Sequence, residues 1–242
     1  MCCLFGLMDP RHNLNGRQRA QLLQSLSIAC EARGTDATGI AYRSGGRLHI
    51  HKKPLPAHQF RFFLPDDVHT VMGHTRMATQ GSAGKTYNNH PFPGTVNGHT
   101  FALAHNGVLY NDKTLRRNLY LPNTKIETDS YVAVQLIERQ RALSFSSLRS
   151  MAESVEGSFT FTILDHMNGL YFVKGENPLC LNYYPHLGLY VYASTKEILN
   201  RGLARTLLKR ETAEEVPIRT EEILYLAADG TIARDAFTLS WG

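Results

Sequence analysis

The chain has 242 residues, 43% of them hydrophobic, with a formal net charge of +5 and a pI near 9.0. That is enough apolar material for one large domain, and no run approaches the ~18 consecutive apolar residues that cross a bilayer. Lys and Arg are dispersed rather than gathered into a basic arm, so nucleic acid is not an expected partner, and four cysteines in so long a chain argue against a disulfide framework.

In chain order, Cys3 to Met8 reads as a strand. A helix is predicted from about Asn15 to Arg33, with Leu22, Leu23, Leu26 and Ala29 on one face and Gly34 as its stop. Strands follow at Gly39–Arg43 and Leu48–Lys52 around the Gly45-Gly46 turn, then at Val68–Thr75 and Thr100–His105. Between the last two, residues from about Gln80 to Gly98 are rich in Gly, Asn, Thr and Pro and are expected to form a long irregular loop, a feature usually tied to function. Helices are predicted at about Asp129–Ala142 and Ser146–Val155. Two hairpins come next, Ser158–Asp165 with Gly169–Lys174 and Leu179–Tyr184 with Gly188–Ala193. A helix over Lys196–Leu208 and a strand at Ile223–Ala227 before the Asp229-Gly230 turn complete the series. Sequential hairpins with grouped helices favour antiparallel sheets covered by helices over a doubly wound parallel sheet.

The leading segment MCCLFGLMDPRH has no basic leader and no A-x-A-like cleavage site, so a cytoplasmic protein is expected. Cys2 follows the initiator Met. Removal of Met1 would give Cys2 a free α-amine, with an ordinary pKa of ~7.7–8.0, beside its thiol; one residue would then supply nucleophile and base. Cys30 and Cys180 read as small buried hydrophobes. His49 and His51 share a strand face but lack a third ligand nearby, and the adjacent Cys2 and Cys3 do not make a zinc spacing, so no metal and no cofactor is expected.

The segments MCCLFGL, GHTRMATQG (Gly73–Gly81), NNHPF (Asn88–Phe92), HNGVLYN (His105–Asn111) and ETDS (Glu127–Ser130), in this order, resemble the glutaminase domain of class II amidotransferases. The glucosamine-6-phosphate synthase branch is the most similar, through its GHTR-x-AT run. Weaker echoes occur at RGTDATGIA (Arg33–Ala41), EGSFTFTILD (Glu156–Asp165), GENPLCL (Gly175–Leu181) and AST (Ala193–Thr195).

The resemblance implies an α+β fold, a four-layer αββα sandwich of the N-terminal-nucleophile hydrolase type, with residues 1–242 as a single amidotransferase domain. It implies Cys2 as nucleophile, Asn106 and Gly107 as oxyanion donors, Arg76 for the α-carboxylate of L-glutamine and Asp129 for its α-ammonium. Thr79 is a lesser substrate contact, and His90 orders the lid-like loop. Three positions depart from the pattern: Cys3 where glycine is usual, Met77 for tryptophan and Gln80 for histidine.

No synthase module is legible beside these motifs, so the expected partner is a separate synthase or synthetase polypeptide that accepts ammonia. Self-association is left open. Two other readings stand beside this one: a hydrolase of γ-glutamyl or other amides without ammonia transfer, and a non-catalytic regulatory module of the same fold.

Overall fold

A computed structural model describes residues 2–239. Cys3–Met8 is β1, followed by helix α1 (Gly16–Cys30). Asn15 caps that helix: its side chain accepts from the Gln18 N–H while the Gln18 side chain accepts from the Asn15 N–H, a reciprocal capping box. Strands β2 (Ala37–Ser44), β3 (Arg47–Lys53), β4 (Thr70–Arg76), β5 (Phe92–Val96) and β6 (His99–Leu109) lead to helices α2 (Asp112–Asn118), α3 (Tyr131–Gln140) and α4 (Phe145–Ser154). Two hairpins follow as expected, β7 (Gly157–Leu164) with β8 (Leu170–Lys174) and β9 (Cys180–Tyr184) with β10 (Leu189–Ala193). Helix α5 (Lys196–Leu203), the short β11 (Glu214–Glu215), β12 (Glu222–Leu226) and β13 (Ile232–Ala236) complete the described chain.

The strands form two antiparallel sheets. One has the order β11-β9-β10-β1-β4-β2-β3, the other β13-β12-β8-β7-β6-β5. Alternation along each strand assigns the layers. On β1, Cys3, Phe5 and Leu7 face outward beneath α1 and α5, while Leu4 and Met8 face the other sheet. On β6, Phe101 and Leu103 pack outward under α3 and α4, and Ala102 and Ala104 face inward. The result is the αββα sandwich that the resemblance implied, with a core layer between the sheets and one beneath each helical layer.

Several boundaries differ from the sequence reading. The stretch 80–98 is not irregular throughout: it contains β5, an edge strand whose Phe92 and Val96 are buried. Pro93 and Gly94 hide it from pattern reading, since both are depleted in strands and tolerated at edges. Helix α2, with its polar sequence DKTLRRN, and strands β11 and β13 carry no apolar periodicity and were not expected. Helix α5 stops at Leu203, and Leu207–Arg210 forms a separate 3-10 turn capped by Thr206. Helix α3 begins at Tyr131, so Asp129 lies just outside it.

Candidate active site

Cys2 stands at the open end of the first sheet, immediately before β1. The pairing of Cys3 with Thr75 brings it beside Arg76 at the end of β4. The Arg33 Nε donates to the Cys2 carbonyl at 2.9 Å, and the Cys2 thiol lies 3.6 Å from the Met77 carbonyl. Burial pushes the Cys2 thiol above its ordinary pKa, against the lowering pull of the Met77 contact and of Arg76. Met1 lies outside the described residues, so its expected removal does too.

Arg76 is 3% exposed, yet no carboxylate is within ion-pair distance of it among the described residues. Its guanidinium donates to neutral acceptors: the Asn89 side chain at 2.6 Å and the carbonyls of Gln80 at 2.6 Å and Gly81 at 2.9 Å. Its charge is thus nearly dry and uncompensated by a direct counter-ion, an arrangement that costs free energy unless an anion joins it. Asn89 is anchored in turn, donating to the Ala83 carbonyl at 2.7 Å. Lys52 donates to the carbonyls of Asn89 and Pro91 at 2.6 and 3.0 Å, and burial followed by the Arg76 charge lowers its pKa to about 8.

Gly39 lets this segment approach β2, since a Cβ there would stand 2.1 Å from the His90 carbonyl. Thr79 is exposed on the loop and makes no hydrogen bond with a described residue. His90 is buried behind the loop, its ring 4.2 Å from that of His74 and 4.4 Å from that of Phe92, with neither nitrogen bonded. Burial holds His90 well below the ordinary imidazole range and His74 at about 3, so both rings are neutral.

The opposite wall comes from the second sheet. The Asn106 side chain, 1% exposed, points its amide toward the Ser194 hydroxyl at a long 3.5 Å. That hydroxyl accepts from the Leu4 N–H at 2.8 Å, so Asn106 reaches the first turn of chain after Cys2. Gly107 has φ +148°, and a Cβ there would fall 1.9 Å from the Ser158 carbonyl; only glycine fits. Asp129 accepts from the Leu109 N–H at 2.7 Å and lies near enough to Cys2 to oppose ionisation of the thiol. Its neighbour Ser130 meets the His105 Nδ1 at 2.8 Å.

The structure therefore gathers Cys2, Arg76, Asn106, Gly107 and Asp129 at the junction of the two sheets. Thr79 is left at the rim and His90 behind the loop. Sequence reasoning passed over Asn89, Lys52, Ser194 and Asn177, whose side chain donates to the Asn106 carbonyl at 2.8 Å. Three of them lay inside motifs already singled out, NNHPF, AST and GENPLCL. Lys52 gave no signal, because its partners are carbonyls 37 and 39 residues away. A cavity of about 1030 Å³ beside α1 and β3, walled by Phe60, Phe62 and Ile40, contains none of these residues; size does not locate the polar convergence. Among the described residues no group of His, Cys, Asp and Glu is arranged to hold a metal, and no helix is long and apolar enough to cross a membrane.

Residues 74–201 match the family model described as a glutamine amidotransferase domain. The glutamine–fructose-6-phosphate aminotransferase (isomerizing) of Bacillus cereus is 32% identical over 74% of this chain and 30% of its own length. That of Sulfurisphaera tokodaii is 32% identical over 75% of this chain and 31% of its own. The match thus spans less than a third of these curated relatives. Among solved structures, the glutamine phosphoribosylpyrophosphate amidotransferase of B. subtilis, complexed with ADP and GMP, superposes with a TM-score of 0.73 at 21% identity, over 99% of this chain and 50% of that one.

Proposed function

The chain belongs to the glutamine amidotransferase domain family, and from that premise we propose that it hydrolyses L-glutamine to glutamate and ammonia through a γ-glutamyl thioester on Cys2. The observation that carries this reading is the buried Arg76 guanidinium, without a carboxylate partner among the described residues, beside the half-buried thiol of Cys2. A planar guanidinium is suited to the α-carboxylate of an amino acid. Asp129, buried nearby, supplies the opposite charge for an α-ammonium. Together they would favour a free amino acid over a simple amide.

In the proposed cycle the Cys2 α-amine, freed by loss of Met1, takes the thiol proton, and the sulfur attacks the side-chain amide carbon. The oxygen of that amide gains charge. The Asn106 amide and the Gly107 N–H would donate to it, an arrangement worth about 10²–10³ in kcat per donor. Among the described residues, the Asn106 amide has only its long contact to Ser194 to surrender. The protonated amine then gives its proton to the departing nitrogen, ammonia leaves, and water cleaves the thioester to glutamate and free thiol. Ammonia would pass to an acceptor handled by a synthase or synthetase, and the family membership supports a transfer of that kind.

The test is the intact mass of the purified protein before and after 6-diazo-5-oxo-norleucine, alongside ammonia release from glutamine. A mass lacking Met1, gaining one adduct on Cys2 and accompanied by ammonia release is expected. A protein that lacks Met1 and still takes no adduct and releases no ammonia would overturn the reading. Faster amine release from γ-glutamyl amides than ammonia release from glutamine would redirect it to that substrate class.

A further inference from the structure

The GENPLCL motif has no part in the cycle above, yet it reaches the centre of it. We propose that Asn177 is a positioning residue for the oxyanion donor, acting through the carbonyl of Asn106; the proposal rests on the function argued in the preceding subsection. The Asn177 Nδ2 donates to the Asn106 carbonyl at 2.8 Å. The peptide joining Asn106 to Gly107 is planar and trans, so its C=O and N–H point to opposite sides. A donor that fixes the carbonyl therefore fixes the direction of the Gly107 N–H. A hydrogen bond to a peptide oxygen also polarises the N–H of the same peptide, making it a better donor.

Gly107 makes such an anchor necessary. It must lack a side chain, because a Cβ would stand 1.9 Å from the Ser158 carbonyl and 2.7 Å from the Asn177 amide. Glycine in turn leaves the flanking peptide freer to rotate than any other residue would. Asn177 supplies the missing restraint from a fixed base. Its own carbonyl accepts from the Thr160 hydroxyl at 2.7 Å, and its N–H donates to the Phe159 carbonyl at 3.4 Å. Phe159 and Thr160 are the residues of β7 that pair with Gly107 and Asn106. Pro178 further restricts the backbone of Asn177 to extended conformations. The clamp is closed: strand β7 holds Asn177, and Asn177 holds the peptide of β6 that lies opposite the same β7 residues.

The experiment compares wild type with Asn177→Ala and Asn177→Asp; the second keeps the shape but replaces the donor with an acceptor. Three quantities are read: glutamine hydrolysis, affinity for a glutamine analogue carrying an aldehyde in place of the amide, and the Gly107 amide resonance in the free protein. The thiol adds to the aldehyde to give a hemithioacetal whose oxygen occupies the oxyanion position. Both variants should lose about 10–100-fold in kcat with KM within about twofold of wild type. Aldehyde affinity should fall by the same factor, and the Gly107 amide proton should shift upfield. An unchanged kcat, a loss confined to KM, or an unmoved Gly107 resonance in a folded variant would overturn the proposal. If wild type itself releases no ammonia and takes up no aldehyde, the parent function has failed, and the Gly107 resonance still decides whether Asn177 orients this peptide.

Discussion

The two sides of the candidate site are held by different kinds of bond. Asn106 and Gly107 sit within β6, paired with β7, and Asn177 holds the peptide between them, so their places are set by a backbone ladder and one side-chain anchor. Arg76 stands at the end of β4, where the chain leaves the sheet. The loop of residues 77–89 in front of it is fastened to its surroundings mainly through side chains: Arg76 to Gln80 and Gly81, the Ala78 N–H to Asp36 at 2.7 Å, Asn88 and Lys85 to Glu127, Asn89 to Ala83, and Lys52 to the Asn89 carbonyl. Groups that must meet a developing charge gain from rigidity, since preorganised donors need no rearrangement during reaction. A group that must admit a substrate and then enclose it gains from a fastening that can open. On the proposed roles, the side that would meet the oxyanion is built on a sheet, and the side that would meet the carboxylate is fastened by side chains.

That contrast can be broken at several points. Cys2→Ala should remove glutamine hydrolysis, a loss of about 10⁴-fold or more, because neither side supplies a nucleophile; ammonia release measures it. Asn106→Ala should lower kcat by about 10²–10³ with little change in KM, as expected of a contact formed only when the oxyanion appears. Equal changes in both constants would show that the sheet-built side also binds the ground state. Asn89→Ala should do the reverse. It removes the side chain that orients Arg76 and should raise KM for glutamine by about tenfold, roughly 1.4 kcal/mol, with kcat largely retained. A fall in kcat alone would mean that the carboxylate side takes part in the chemistry.

Gly107→Ala should destabilise the protein by about 1–3 kcal/mol through backbone strain and the collision with Ser158, seen as a Tm lower by roughly 2–10 °C. The smallest effect concerns pH. Burial raises the Cys2 thiol, so its thiolate fraction still grows as pH passes the ordinary value of 9.0. Alkylation of the substrate-free protein by iodoacetamide should therefore keep accelerating beyond that pH. A plateau below it would show that the Met77 contact and the neighbouring positive charge outweigh burial.

Much of the architecture was legible because its signals are local. The apolar face of α1 lies within a few turns of chain, and the hairpins announce themselves by alternation around Gly-containing turns. What escaped was structure made by context. Strand β5 carries Pro93 and Gly94 and exists because Phe92 and Val96 find a place beside β6. Helix α2 is polar and is held by its neighbours. The site divides the same way: Cys2, Arg76, Asn106, Gly107 and Asp129 were named from ordered motifs, while Asn89, Lys52, Ser194 and Asn177 are visible only as partners.

The sequence by itself determined the residue types that chemistry requires and the strand periods that bring both sheets face to face. Only the tertiary structure decided what each functional group touches. Leu4 meets Ser194 across 190 positions, Asn177 meets Asn106 across 71 and Lys52 meets Asn89 across 37. The reason is physical: periodicity and capping are set by neighbours within a turn or two, whereas the charge state of a thiol, the loneliness of a guanidinium and the orientation of one peptide depend on distant chain closing over them.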